Sequence, residues 1–432
     1  MNIKFAHASD CHLGCWRKET LNQVGYEVFR LMIEKIIEEQ VDFVLISGDL
    51  YDVSNPKVDV VDLVTKQLKK LNDAKIPVYG IMGSHDFSPS DKSMIRPLVS
   101  AELFRNVSIP HWVPDSNYPL QLQFIEDQKT KVKLVGMRAR KRGLEIENYY
   151  QLDIDNLEQE SGTKIFLLHT MITELKPKEY ANMRSGEQSL LPRNFYYYAG
   201  GHLHKTLPEK LREDIYHINK DSTLQQKIIY PGLLFPTNFL ELEKFQYGGF
   251  CIVSGDTITN DLEVRYIPLK CKEVERILVK ANNKTSSTVQ DILDQEIKRG
   301  NFEDKIVVVR LEGTLSSGKS YDIDINEILH KLREKGAYET LINKTQLISE
   351  EYRSIKQDLP ETSEEIESRL VYEHASQSNI LDITKEEIEQ KVHQILANLG
   401  RSRKESEKVK DFDKEMKDLF YSIMDLKTEE TE

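Results

Sequence analysis

Asp10-Cys11-His12-Leu13-Gly14, Gly48-Asp49-Leu50-Tyr51-Asp52 and Gly83-Ser84-His85-Asp86 decide the reading of this chain, because each comes directly after a short apolar run. Ahead of the first, Ile3, Phe5 and His7 alternate with polar or small residues, as a strand does. Phe43-Val44-Leu45-Ile46 reads as a buried strand ahead of the second, and residues 78–82 as a strand ahead of the third. Between them Leu21, Val24, Val28, Leu31, Met32 and Ile36 recur at helical spacing, and so do Val61, Val64, Leu68 and Leu71. Further strands are predicted over 132–135, 165–168, 196–199, 227–230 and 250–253. His169 closes the strand at 165–168, and Gly201-His202-Leu203-His204 follows the one at 196–199. Strands alternating with helices, then a strand-rich stretch, predict a layered α/β fold. In such a sheet the carboxyl ends of the strands share an edge, so the five polar motifs are expected to converge on one crevice.

Carboxylates and imidazoles in one cluster suit divalent ions such as manganese, iron or zinc. Asp49, entering from a central strand, is placed to bridge two of them. The glycines beside Asp49, Ser84 and His202 let the backbone turn sharply at the site. Taken singly, an Asp-x-His or one buried histidine is more often structural. Taken together, five of the eleven histidines fall in these motifs, in this order and at strand ends, which weighs for a metal site over packing. His7 lies inside its strand and reads as a core histidine. Cys11 and Cys15 read as bystanders, open to oxidation.

At 432 residues the chain is long enough for two or three domains. No apolar run reaches membrane-spanning length, and the chain enters a strand pattern rather than a basic-then-apolar leader. Four scattered cysteines provide neither a disulfide framework nor a zinc ribbon, so a reducing, cytoplasmic setting is expected. The net charge of −12 argues only mildly against nucleic acid, since one basic face suffices and bound cations offset carboxylates. The densest such face in the first half is Lys131, Lys133, Arg138, Arg140, Lys141 and Arg142. It reads either as a solvated surface or as a contact to a phosphate backbone.

The character changes near Pro268. From there to about Ala337 a strand-helix-strand-helix pattern predicts a small α+β domain, and after Asn343 the chain becomes charged and helical. Thr384 and Glu387 form a capping-box pair ahead of a stripe of Ile388, Val392, Ile395, Leu396 and Leu399, which stops at Gly400. Phe412, Met416, Leu419, Phe420, Ile423 and Met424 make a second stripe. Stripes without a local strand pattern favour a partner's groove or coiled coil over the chain's own body. The Ser/Glu/Lys-rich stretches 361–367 and 401–410 then read as tethers.

Asp10-x-His12, Gly48-Asp49, Gly83-x-His85-Asp86, His169 and Gly201-His202-x-His204 resemble the metallophosphoesterase signature. The closer resemblance is to the Mre-eleven/SbcD family of double-strand-break repair nucleases, on Asp10-Cys11-His12-Leu13-Gly14, on Gly48-Asp49-Leu50-Tyr51-Asp52, and on the arrangement behind the first half. That resemblance implies a calcineurin-like β-sandwich flanked by helices over 1–267, a DNA-binding capping domain over 268–343, and a helical tail over 344–432 that docks on a Rad-fifty-type, SMC-like coiled-coil ATPase. It implies two metal ions, manganese before others. Asp10, His12, Asp49 and His204 would hold one, and Asp49, position 84, His169 and His202 the other. His85 would stand beside the scissile phosphate as general acid or charge stabiliser, and Asp86 would orient it or serve as a turn residue. Arg138, Arg140, Lys141 and Arg142 would face DNA.

The implied activity is manganese-dependent 3′-to-5′ exonuclease and single-strand endonuclease processing of DNA ends and hairpins, by a homodimer associated with the nucleoid. The alternatives are a hydrolase of small phosphodiesters and a DNA-binding scaffold with a weakened metal site. Two residues depart from the family pattern. Ser84 replaces a ligating asparagine, and Asp52 replaces a histidine involved in handling DNA ends. One motif misleads: Gly313-Thr-Leu-Ser-Ser-Gly318-Lys319-Ser320 matches a phosphate-binding loop, but Tyr321-Asp322-Ile323-Asp324 does not open the helix that such a loop requires.

Overall fold

Strand alternation builds the layers. The computed structural model describes residues 2–350 apart from 89 and 115, together with 371, 384–399 and 409–424. The chain divides into two compact units. The first comprises Met1–Glu275, Phe302–Val308 and Gly336–Leu341. Its strands are β1 (Asn2–Ala8), β2 (Phe43–Ser47), β3 (Val78–Ile81), β4 (Lys133–Met137), β5 (Lys164–His169), β6 (Tyr197–Gly201), β7 (Gly248–Asp256) and β8 (Asp261–Leu269), with a few shorter ones. Helices α1 (Glu19–Glu38) and α2 (Val58–Asp73) lie between β1 and β3 in the chain.

One seven-stranded sheet runs Tyr216–Ile218, β8, β7, β1, β2, β3, Arg105–Asn106, with β1, β2 and β3 parallel and β7 antiparallel to β1. A five-stranded sheet carries β6, β5 and β4, all parallel. Successive side chains point to opposite faces of a strand. Phe5, Leu45, Tyr79 and Ile81 of the first sheet therefore share a core with Leu134, Ile165, Leu167 and Tyr197 of the second. Their sequence neighbours face outward. Ala6, Val44 and Ile46 pack on Val24, Val28, Met32 and Ile36 of α1 and on Val64, Leu68 and Leu71 of α2. Val135, Phe166, Leu168 and Tyr198 pack on Tyr149, Leu157 and Phe195. Burial on both faces explains why these strands read as continuous apolar runs. The result is the sandwich of two sheets between helices expected from the sequence, with the ends of β1, β2, β3, β5 and β6 carrying the polar motifs.

The second unit comprises Arg276–Asn301, Val309–Lys335 and the described residues from Ile342 onward. Its helices α3 (Ser286–Arg299) and α4 (Ile325–Glu334) bury Val289, Leu293, Ile297, Ile328 and Leu332. The expectation that strand character ends at 343 is corrected, because Glu339–Ser349 is a strand paired with Ile306–Ser317. The phosphate-loop pattern is strand as far as Ser317. A turn follows, in which the Lys319 N–H donates to Asp322 Oδ2, and helix begins only at Ile325. No ring of helical N–H groups forms at Lys319. Farther on, Thr384 and Glu387 exchange capping hydrogen bonds (Thr384 N to Glu387 Oε2, 2.9 Å; Glu387 N to Thr384 Oγ1, 3.3 Å). They open α5 (Lys385–Leu399), which packs on α6 (Val409–Ile423), where Lys391 Nζ reaches Ile423 O at 2.8 Å. Gly400 and the tether stretches 361–367 and 401–408 lie outside the described residues. Among the described residues no helix is long and apolar enough to cross a membrane.

Candidate metal centre

The loops that leave β1 and β2 are zipped together before any side chain is considered. Asp10 N donates to Gly48 O (3.1 Å), His12 N to Asp49 O (3.0 Å) and Leu13 N to Leu50 O (3.2 Å). To make this ladder while turning, Asp10 (φ 49°), His12 (43°) and Asp49 (52°) take left-handed backbone, and so does His202 (87°). Each such residue costs about 1–3 kcal/mol, and strain of this kind concentrates at functional sites.

The glycines act in two ways. Gly48 has φ 91°, the turn expected. Gly83 and Gly201 do not; they permit close approach instead. A Cβ on Gly83 would lie 2.2 Å from Asp49 Oδ1, and one on Gly201 would lie 2.0 Å from Ser47 O.

These loops bring together three groups whose donor atoms lie within 4.8 Å of one another: Asp10, His12 and His204; Asp10, Asp49 and His169; His12, Asp52 and His85. Asp10 belongs to the first two, and Asp49, 2% exposed, reaches from the second toward His12 of the first. Its Oδ2 is 3.1 Å from His169 Nε2 and 3.7 Å from His12 Nε2, and its Oδ1 accepts the His85 N–H at 2.7 Å. His202 falls in none of the three groups. Its ring lies 5.3 Å from that of His169, and its main-chain N–H donates to both Asp10 oxygens (3.0 and 3.1 Å). Ser84 is half-buried on the loop after β3 and offers only a hydroxyl.

The outer bonds of the histidines fix what the inner nitrogens can do. His12 Nδ1 meets Asp52 Oδ1 at 3.2 Å, His204 Nδ1 meets Glu241 Oε1 at 2.6 Å, and His169 Nδ1 meets Ser47 O at 2.7 Å. Each outer partner accepts, so each Nδ1 is the donor there and each Nε2 is the nitrogen turned inward, free to ligate. The inward nitrogens then face one another or a carboxylate. His12 Nε2 and His204 Nε2 are 3.1 Å apart, and the buried His169 Nε2 has no hydrogen-bond partner beside Asp49. A cation resolves this arrangement, and carboxylate-backed imidazoles are the usual outer shell of a metal site. The donor set therefore fits divalent ions.

Without one, the charges compensate each other. Burial alone would raise Asp49, but His169, then His12 and His85, hold it far below the ordinary carboxylate range. Burial lowers His169, yet Asp49 and then Asp10 carry it up to about 10. Burial, then the neighbouring His169, pushes His202 down to about 4.

Three sequence readings change. Asp86 does not touch the His85 ring; it is fully buried and accepts from Tyr51 N (3.0 Å) and Gly83 N (2.9 Å), fastening the second loop to the third. Burial and the nearby Asp49 raise its pKa to about 7. The His85 ring is held by Asp52 instead, through Nδ1 and the Asp52 carbonyl at 2.6 Å. Glu241 was not anticipated. It lies 37 residues from His204 and looks locally like an ordinary first-turn residue below the Asn238 cap, where its N–H donates to Asn238 Oδ1 at 3.0 Å. Cys11 is buried and its thiol is pushed up, by burial first and then by Asp10, so it is an inert bystander. His7 is buried between Tyr197 Oη (2.9 Å) and Ser47 Oγ (3.0 Å), as a satisfied core histidine is.

The basic cluster splits. Lys131 and Lys133 lie at the far end of β4 and pair with Glu126 and Glu160. Arg138, Arg140, Lys141 and Arg142 follow its carboxyl end. Arg138 pairs with Asp91 at 2.7 Å and lies 5.2 Å over the ring of Phe87, two residues from His85; Lys141 lies 5.9 Å over the same ring. Arg140 is 3.6 Å from Glu147. Lys141 and Arg142 are exposed.

Residues 3–206, which contain every motif of the site, match the family described as calcineurin-like phosphoesterase. The relatives extend further. The chain is 26% identical over 408 residues to a DNA double-strand break repair protein Mre11 of Sulfolobus acidocaldarius, covering 91% of this chain and 98% of that one. It is 26% identical to the protein of the same name in Saccharolobus solfataricus (69% of this chain, 72% of that one) and 28% identical to that of Methanocaldococcus jannaschii (67% and 73%). The chain thus belongs to the calcineurin-like metallophosphoesterases, which are metal-dependent phosphoester hydrolases, and within them to the Mre11 family.

Proposed function

We propose that the protein is a DNA nuclease that hydrolyses phosphodiester bonds at DNA ends during double-strand-break repair. One observation carries this reading: inward-facing imidazole nitrogens and the buried Asp49 carboxylate converge close to the loop of His85 and Phe87, on whose ring Arg138 and Lys141 rest. The relatives' name supplies the substrate, DNA. Asp10, His12, Asp49 and His204 would hold one ion, and Asp49, Ser84, His169 and His202 a second. Such a pair supplies Lewis acidity to the phosphoryl oxygens and a water nucleophile, and manganese suits the mixed oxygen and nitrogen donors.

The chain's own groups do the rest. Asp52 O holds His85 Nδ1 and leaves Nε2 for the departing 3′-oxygen, as general acid or charge stabiliser. The His85 side chain is 45% exposed, open enough to meet a polymer. Arg138, Arg140, Lys141 and Arg142 would grip the phosphate backbone. We assign 3′-to-5′ exonuclease and single-strand endonuclease action, a homodimeric state and a nucleoid-associated location on the family resemblance. The capping role of 268–343 rests on the same ground. The half-buried Phe412, Met416, Leu419 and Ile423 of α6, with Phe420 46% exposed, support docking on a Rad-fifty-type coiled coil.

The test is degradation of end-labelled duplex and hairpin DNA with manganese, beside a small chromogenic phosphodiester, for wild type and Asp49→Ala. DNA cleavage lost in the variant supports the reading. Cleavage of the small ester alone assigns a small-molecule hydrolase. No turnover of either substrate leaves a DNA-binding scaffold.

A further inference from the structure

The two ligand sets are not equivalent, and the inequality arises from residues outside them. On one side His12 is backed by the Asp52 carboxylate at 3.2 Å and His204 by the Glu241 carboxylate at 2.6 Å. Glu241 is itself fixed, since its Oε2 accepts Thr237 N (2.8 Å) and Thr237 Oγ1 (2.7 Å). On the other side His169 is backed by a neutral main-chain carbonyl, Ser47 O, at 2.7 Å. For His202 only the main-chain N–H meets a carboxylate, that of Asp10, and no carboxylate backs its ring among the described residues. The fourth member of the second set is a serine hydroxyl, shorter than an amide and a poorer donor. The formal negative charges divide accordingly. Asp10 and Asp49 lie near both positions, whereas Asp52 and Glu241 stand behind the first alone.

We propose that the two positions fill in sequence: the Asp10–His12–Asp49–His204 position binds a divalent cation tightly, and the Asp49–Ser84–His169–His202 position fills only at higher cation concentration. This rests on the metal-centre reading above and makes the second ion a concentration-gated switch for turnover. Outer-shell carboxylates raise imidazole basicity and hold the ring in place; removing one costs about 10–100-fold in metal affinity. A first ion beside Asp49 also repels a second, which separates the steps further.

Manganese alone is the probe, titrated into the chelator-stripped full chain by calorimetry, with free Mn²⁺ followed by electron paramagnetic resonance. Two steps separated by at least about tenfold are expected. Glu241→Gln weakens the tight step by about 10–100-fold and leaves the weak step in place. Asp52→Asn, acting from a different loop, does the same. Ser84→Asn tightens only the weak step. Circular dichroism confirms that each variant is folded, and Ser84→Asn, which disturbs no outer bond, keeps the test open should the other two unfold. Two ions binding in a single step of equal affinity would overturn the proposal, as would a Glu241→Gln variant that weakens only the second step. A folded wild-type chain that binds no manganese would instead sink the metal-centre reading itself.

Discussion

Replacing Gly83 by alanine sets a methyl group against the most constrained residue of the site. The new carbon would lie 2.2 Å from Asp49 Oδ1, 2.3 Å from Asp49 N and 2.6 Å from Asp49 Cγ. Favourable carbon contacts begin near 3.5 Å, so the fit is short by roughly 1 Å. Neither neighbour gives way easily. Asp49 is tied through its carbonyl to His12 N and through Oδ1 to His85 N, and Gly83 is tied by its own N–H to the buried Asp86. The loop that carries Ser84 and His85 must therefore separate from Asp49 by about that ångström. Displacement on this scale costs about a hundredfold in rate, or about 2.7 kcal/mol of transition-state stabilisation. Forcing an extra carbon into a packed site also costs about 1–3 kcal/mol of stability. The assay is kcat/KM on end-labelled DNA and on a small phosphodiester with saturating manganese, together with the thermal midpoint. Gly25→Ala in α1 is the control: its Cβ would meet Phe235 at 3.6 Å, an ordinary contact, and should leave the rate unchanged. A Gly83→Ala enzyme within threefold of wild type would show that the close approach of Gly83 to Asp49 is not what holds the site.

Asp86→Ala leaves the N–H groups of Gly83 and Tyr51 buried without an acceptor, at about 1–3 kcal/mol each. Urea unfolding should show a loss of several kcal/mol, with Asp86→Asn losing less; a change below about 1 kcal/mol would contradict the clamp. His7 is held neutral by burial, which lowers its pKa to about 3 from the 6.5 ordinary for histidine. The unfolded chain takes a proton on His7 below pH 6.5 and the folded chain does not until about pH 3, so stability falls as pH falls through that window. Between pH 6.5 and 5 the slope amounts to roughly 2 kcal/mol, and chemical unfolding of His7→Asn should be flatter there by that amount. Arg138→Ala should weaken duplex DNA binding at every sequence and reduce the slope of log affinity against log salt by about one; an unchanged slope removes Arg138 from the interface. Lys319→Ala should leave nucleotide binding as absent as in wild type, and saturable ATP binding to the wild-type chain would contradict the strand-and-turn geometry at that loop.

The sequence by itself determined the layers and the convergence of the polar motifs on one edge. Strand and helix are written in local periodicity: Phe5, Leu45 and Tyr79 could face only one way once Ala6, Val44 and Val78 faced the other, and α1 and α2 carry their apolar stripes in full. The polar motifs were legible because each sits where a strand ends, and parallel strands bring their ends to one edge. Two kinds of feature were decided only in three dimensions. The first is the outer shell. Glu241 and His204 are 37 residues apart, and no local pattern distinguishes a carboxylate that caps a helix from one that also holds a histidine. The second is the assignment between near neighbours. Asp52 and Asp86 both flank His85 in plausible ways, and backbone path alone turned Asp86 inward to the Gly83 and Tyr51 amides and gave the His85 ring to Asp52. The basic cluster divides for the same reason. A strand of five residues moves Lys131 and Lys133 to the opposite end from Arg138–Arg142. Spacing in the chain sets which face a residue takes, but which distant group meets it there depends on how the layers close.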